Sequence, residues 1–240
     1  MNVPNGSMPG PRDTTAAAVI IFCYGLLTVV ALIPILTVHH PPLQDYANHL
    51  ARMYILANPA DLFVQQHWLV EWRFVPNLAM DLIVPMLAKV VPLATAGKVF
   101  ICVSVVLVTS GAMALHFVIY RRLAVLPLLC FSIVPNLAFQ KGFLNFTFGI
   151  ALMMWAIAGW IAFQARHPIL RWCYGALAAV LLLVMHLHAY GVFCLFIAAF
   201  EAAPLFLPNG KARRLDAGRT VLVLSSLLPA AVALAFFSPT

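Results

Sequence analysis

The 240-residue chain is 64% hydrophobic and only 9% charged, whereas a water-soluble domain draws on roughly 25% charged residues to cover its surface. That deficit excludes a sizeable soluble domain and makes the bilayer the solvent. The net charge of +7 is spread over many short connections, which excludes a nucleic-acid binder with its basic face or arm and fits topogenic charge.

In chain order, Met1–Thr15 is rich in Pro, Gly and Asn and reads as a disordered N-terminus. Residues 16–240 read as a single transmembrane helical domain. The apolar run 16–38 is too long for a signal-peptide core, and His39-His40-Pro41-Pro42 after it is no cleavage site. It is therefore a retained first span. About 20 apolar residues cross the hydrocarbon core, and the further candidates are 76–94, 97–120, 123–139, 143–163, 172–187, 188–207 and 220–238. The stretch 172–207 holds two helices only if it breaks near His186-Leu187-His188. The fold expected is all-α: a polytopic transmembrane helix bundle of about seven to eight segments, with an interfacial amphipathic helix in the first loop. The five cysteines (Cys23, Cys102, Cys130, Cys173, Cys194) lie in or beside apolar segments without a CxxC pair, and read as small core residues.

The first loop, 39–75, concentrates the polar chemistry. It holds His39, His40, His49 and His67 of the eight histidines, and Asp45, Asp61 and Glu71 of the seven acids. After Pro41-Pro42, residues 43–56 have helical periodicity, with proline at the start and Asp45 in the first turn. Asp45, Asn48, His49 and Arg52 fall at i, i+3, i+4 and i+7, a single polar stripe. Tyr46, Leu50, Met53 and Tyr54 take the other side, toward lipid or protein. Asp45 is a candidate general base, and His49 and Arg52 suit an anionic phosphate. The alternative is a solvated interfacial face of no catalytic use. Asp45 and His49 alone make a weak metal signal, so no metal site is assigned and a divalent cation stays open as a cofactor.

Beyond that loop, Lys141-Gly142-Phe143-Leu144-Asn145 joins two spans and either lines a cavity or is an ordinary charged turn. His186 and His188 flank the expected break. Asn48, Asn145, His186 and His188 are cavity-lining candidates, and Lys141 joins the phosphate-binding ones. Asp81 and Glu201 are acids at membrane depth and site hypotheses for that reason, although Glu201 can instead snorkel toward the basic 211–219 stretch. The tryptophans fall mostly near span ends, as aromatic belts do.

Sidedness has two solutions. If all eight segments cross, loops on the first loop's side hold ten of the fourteen Lys and Arg residues, namely Arg52, Arg73, Arg121, Arg122, Arg166, Arg171, Lys211, Arg213, Arg214 and Arg219. The first loop is then cytoplasmic. Segment 76–94, however, carries Pro76, Asp81, Pro85, Lys89 and Pro92. If it is re-entrant, parity flips and the first loop faces outward.

The stretch Pro42 to Arg52 (PLQDYANHLAR), with Gly142 to Phe146 (GFLNF), resembles uncharacterised bacterial membrane proteins of GT-C-like architecture. GT-C proteins are multipass glycosyltransferases that use lipid-phosphate-linked sugars. The resemblance covers most of the chain in topology and is specific in these two stretches. It implies an outward first loop whose acid, here Asp45, acts as base toward the acceptor or helps to hold a metal. GT-C enzymes are usually much longer, so the resemblance implies a truncated member, a fragment or a minimal version.

The function expected on this basis is transfer of a sugar from a polyprenyl-phosphate-linked donor to a lipid or extracytoplasmic acceptor. The location expected is the bacterial inner membrane, with the bilayer and the lipid-linked donor as partners and no nucleic acid. A transporter would need paired broken helices at the midplane, and no half-repeat is found. A non-catalytic membrane subunit is the third reading.

Overall fold

The computed structural model describes residues 11–203 and 217–237, which are mostly helical, with no strand among them. The twelve α-helices are α1 (Pro11–Thr37), α2 (Tyr46–Ala57), α3 (Leu62–His67), α4 (Ala79–Leu87), α5 (Leu93–Tyr120), α6 (Cys130–Ile133), α7 (Leu137–Gln140), α8 (Leu144–Ala162), α9 (Pro168–Met185), α10 (Leu187–Ala202), α11 (Ala217–Leu224) and α12 (Leu228–Phe237). Four stretches, Thr14–Thr37, Leu93–Tyr120, Leu144–Ala165 and Pro168–Met185, are long and apolar enough to cross a membrane. The chain is an integral membrane protein on that count. Leu126–Gln140, Leu187–Ala202 and Thr220–Phe236 are shorter apolar helical stretches.

Residues 1–10, most of the stretch expected to be disordered, lie outside the described residues, and helix α1 runs over Pro11–Thr37. Segment 76–94 is no span. Its nine-residue α4 rises only about 13.5 Å, against a core of about 30 Å. Asn77, at φ 72°, turns the chain immediately before α4. Pro92 then stands at the N-cap of α5, so α5 starts four residues earlier than its apolar run. The expected span 123–139 is interrupted. A 3-10 turn at Leu126–Leu129 leads into α6, and α7 begins again beyond Pro135, whose missing N–H cannot continue the ladder. The break at His186 is where the sequence puts it.

Contacts between helices set their directions. Tyr24 and Thr109 hydroxyls are 3.2 Å apart, and Lys98 Nζ donates to the carbonyls of Val38 and Leu36 at the end of α1, so α1 and α5 are antiparallel. Helices α5 and α8 are parallel: Phe100 stacks on Phe148 at 5.0 Å, and Trp155 Nε1 donates to Ser110 Oγ. The chain must return between them, and 126–140 makes that return, with Phe131 against Tyr24. Gly149 abuts His186 and Ala189, while the far end of α8 meets Arg171 and Glu201 through Trp160. Thus α9 runs against α8 and α10 runs with it. One end of the bundle therefore gathers Val38, the first loop, Lys98, Lys141-Gly142 and His186. The other gathers Arg121-Arg122, Arg166 and Ala202.

Two apolar clusters meet along α8. One joins Tyr46 and Met53 of α2 to Met80, Phe100 and Phe148, so the apolar side of α2 faces protein. The other joins Trp160 to Leu182, Leu183, Phe193 and Ile197. Arg171, counted above as a loop cation, is buried inside α9. Its Nη2 donates to Glu201 Oε1 at 2.5 Å, and the guanidinium lies 4.2 Å over the Trp160 ring. Glu201 is thus an ion-pair partner and does not snorkel. A buried guanidinium persists only with such pairing.

Candidate functional site

The backbone around Asp45 is held from a distance in sequence. Gln44 N–H donates to Gln140 O at 3.0 Å and Asp45 N–H to Lys141 O at 3.2 Å. Helix α2 consequently starts at Tyr46, with Asp45 at its N-cap rather than in its first turn, and Leu43 N–H donates to Pro41 O in a tight turn before it. Gly142 completes the junction. Its φ is +85°, and a Cβ there would lie 3.0 Å from Asp45 N and 3.2 Å from Asp45 Cβ. Glycine alone meets both demands.

The Asp45 side chain makes no capping bond to the helix. Its Oδ1 instead accepts from Asn48 Nδ2 at 2.6 Å, and Oδ2 lies 3.5 Å from His49 Nε2. That His49 nitrogen is also 3.0 Å from Gly142 O. A carbonyl only accepts, so Nε2 carries a hydrogen and donates it to Gly142 O, and His49 ties α2 to the Gly142 turn beside the carboxylate. Lys141 Nζ donates to Gln44 Oε1 at 2.7 Å. Between these groups lies an open-sided cavity of about 800 Å³, lined by Gln44, Asp45, Asn48 and Lys141 on its polar wall and by Leu137, Ala138 and Phe143 on its apolar one. The Asp45 side chain stays 43% exposed, so its carboxylate is free to meet a ligand there.

No family model, curated protein or solved structure matches the chain.

The other expected site residues divide. Arg52 continues the stripe but does not line the Asp45 cavity. Its Nε and Nη2 donate to both oxygens of Asp81, with Nη2 to Oδ2 at 2.6 Å. These bonds push the guanidinium pKa above its ordinary value. Asp81 is buried, and Arg52 supplies hydrogen bonds to both of its oxygens there. Arg52, read from spacing as a phosphate ligand, is held in this pair, which faces a neighbouring, smaller cleft.

Asn145 lines no part of the cavity either. Its Oδ1 accepts from Met80 N–H at 2.8 Å and its Nδ2 donates to Asn77 O at 2.6 Å, tying α8 to the start of α4. His186 is extended (φ −164°, ψ 119°) between α9 and α10. It sits with His188 around Phe146, at ring distances of 5.4 and 5.7 Å, and neither is among the residues lining the cavity. The groups freed by the break are re-paired: Leu78 N–H donates to Val184 O and Leu187 N–H to Asn77 Oδ1. Backbone groups at membrane depth need such partners.

Sequence reasoning passed over Asn77, Gln44, Leu137 and Ala138. The Pro76-Asn77 pair was the one available signal, since asparagine tolerates positive φ. No group of three or more His, Cys, Asp or Glu residues that could hold a metal ion occurs among the described residues.

Proposed function

We propose that the chain is a membrane glycosyltransferase that moves a sugar from a polyprenyl-phosphate-linked donor to a lipid or extracytoplasmic acceptor. The observation carrying this reading is the cavity in which Asp45 and Lys141 face an apolar wall of Leu137, Ala138 and Phe143. A polyprenyl phosphate needs those two surfaces side by side. Asp45 takes the acceptor hydroxyl's proton, and the oxygen attacks the anomeric carbon on the face opposite the phosphate. The bond from that carbon to the phosphate oxygen breaks, and the polyprenyl phosphate leaves with both electrons, its charge balanced by Lys141 and the amide hydrogens of Gln44 and Asn48. General-base help contributes typically 10²–10⁴-fold. Asn48 Nδ2 holds the base in place. Arg52, seven residues further along α2 and so about 10 Å away, stands outside this step.

The topology belongs to the same proposal. The bond from Asp45 N to Lys141 O requires both residues on one side of the membrane, which fails if 76–94 crosses. We therefore count seven crossing segments: α1, α5, residues 126–140, α8, α9, α10 and the α11–α12 stretch. Arg121, Arg122, Arg166 and the 211–219 cluster then share one side, and the positive-inside rule makes it cytoplasmic. Asp45 faces outward, in a bacterial inner membrane.

A transport pathway through the broken α9–α10 helix is disfavoured, because Asn77 and Leu78 already occupy the backbone groups that the break frees. The test of the enzyme is Asp45→Asn in membranes supplied with polyprenyl-phosphate-linked sugars. Loss of transfer of at least about 10²-fold supports the reading. Unchanged transfer removes Asp45 from the mechanism.

A further inference from the structure

Two turns along α2 from Asp45, on the same end of the bundle, a second cleft of about 190 Å³ is lined in part by Arg52, Glu71, Trp72, Arg73 and Asp81. We infer that it is a binding subsite for a neutral sugar unit of the acceptor, which makes that acceptor a saccharide or a glycolipid.

The charges of the cleft point to a polyol rather than a phosphate. Both guanidiniums are already neutralised, Arg52 by Asp81 and Arg73 by Glu71, each at 2.6 Å. In each pair Nε and Nη2 hold the carboxylate, so Nη1 has no partner among the described residues. The carboxylates fix the two forks in place and leave donors projecting, with Glu71 half-exposed as an acceptor. Balanced, fixed donors and acceptors match hydroxyl groups, whereas a free phosphate calls for uncompensated positive charge. Trp72 is exposed and supplies a flat apolar face for the C–H side of a sugar ring. The volume equals that of about six waters in the liquid, the scale of one ring. Its place, about 10 Å from Asp45 along α2, lets an acceptor bound here present its next unit to the base.

The inference rests on the glycosyl-transfer reading for the word acceptor, though sugar binding itself is measurable without transfer. The full chain is reconstituted in liposomes and titrated with cellobiose, maltose and α-1,6-mannobiose by saturation-transfer NMR. At least one disaccharide is expected to bind wild type and Asp45→Asn alike. Trp72→Ala is expected to weaken that binding at least about tenfold, and Trp72→Phe, which keeps an aromatic face, less than about threefold. In transfer assays Trp72→Ala raises the acceptor KM by more than it lowers kcat. Failure of all three disaccharides to bind, or wild-type binding by Trp72→Ala, overturns the inference, as does competition by inorganic phosphate at equal concentration. If binding survives while Asp45→Asn leaves transfer intact, the sugar site stands and the transfer reading alone falls.

Discussion

Removing Arg52 should damage the protein more than removing Arg52 and Asp81 together. The Asp81 carboxylate is buried while the Arg52 side chain is 60% exposed, so the two halves of the pair are not equivalent. Losing the acid returns a guanidinium to water. Losing the base strands a carboxylate between α4 and its neighbours. Breaking a fully buried pair from one side costs about 3–5 kcal/mol. The exposure of Arg52 lets water reach the site, and the cost of Arg52→Met falls to about 2–3 kcal/mol. Asp81→Asn loses charge-assisted bonds but no buried charge is stranded, for about 1–2 kcal/mol. The double variant Arg52→Met/Asp81→Asn should resemble Asp81→Asn, giving a coupling of about 2–3 kcal/mol in a double-mutant cycle. Thermal unfolding of the three variants in a mild detergent, followed by circular dichroism, supplies the values. If the double variant is less stable than Arg52→Met, the argument from a buried carboxylate is refuted.

Gly142→Ala should cost about 1–3 kcal/mol, from a positive φ and a Cβ set against Asp45, and should lower sugar transfer by displacing the carboxylate. Normal transfer by a folded Gly142→Ala protein would contradict that positioning. Asn77→Ala should be less stable than Asn77→Gly by about 1 kcal/mol, because only glycine keeps φ 72° without strain. Both variants should speed amide exchange at Leu187, whose N–H loses its acceptor. Asp61 caps α3 by accepting from Phe63 and Val64 N–H, and Tyr54 hydroxyl adds a third bond. Those bonds, the Phe63 one first, hold its carboxyl below the ordinary value. With the folded pKa depressed, its contribution is complete above the unfolded value of about 3.9 and is lost as pH falls through the lower folded one. Exchange at Phe63 and Val64 should therefore rise in that acid window, and Asp61→Asn should abolish the pH dependence.

Local pattern revealed what local physics determines. The polar stripe of α2, the apolar runs of α1, α5 and α8 and the break at His186 all follow from periodicity, length and residue type within a few turns. The pairings that decide the site do not. Asp45 rests on the carbonyl of Lys141, 96 residues away, and no spacing rule in α2 announces it. Arg52 was assigned to phosphate because it shares a face with Asp45, yet Asp81 lies 29 residues on, and a buried carboxylate outcompetes a shared stripe. Segment 76–94 was ambiguous in sequence because its mean apolarity hides prolines at both ends. Arg171 read as a loop charge because Glu201, which neutralises it, arrives on the next helix.

Sidedness is the most direct test, because every step from lipid-linked donor to Asp45 requires the first loop and the Lys141 turn to share the outer face. Single cysteines at Asn48, Lys141 and Arg166 in a cysteine-free background are labelled with a membrane-impermeant maleimide in intact cells. Labelling at 48 and 141 from outside, with 166 reached only after permeabilisation, is the result predicted. Opposite accessibility for 48 and 141, or a cytoplasmic position for both, would contradict the account.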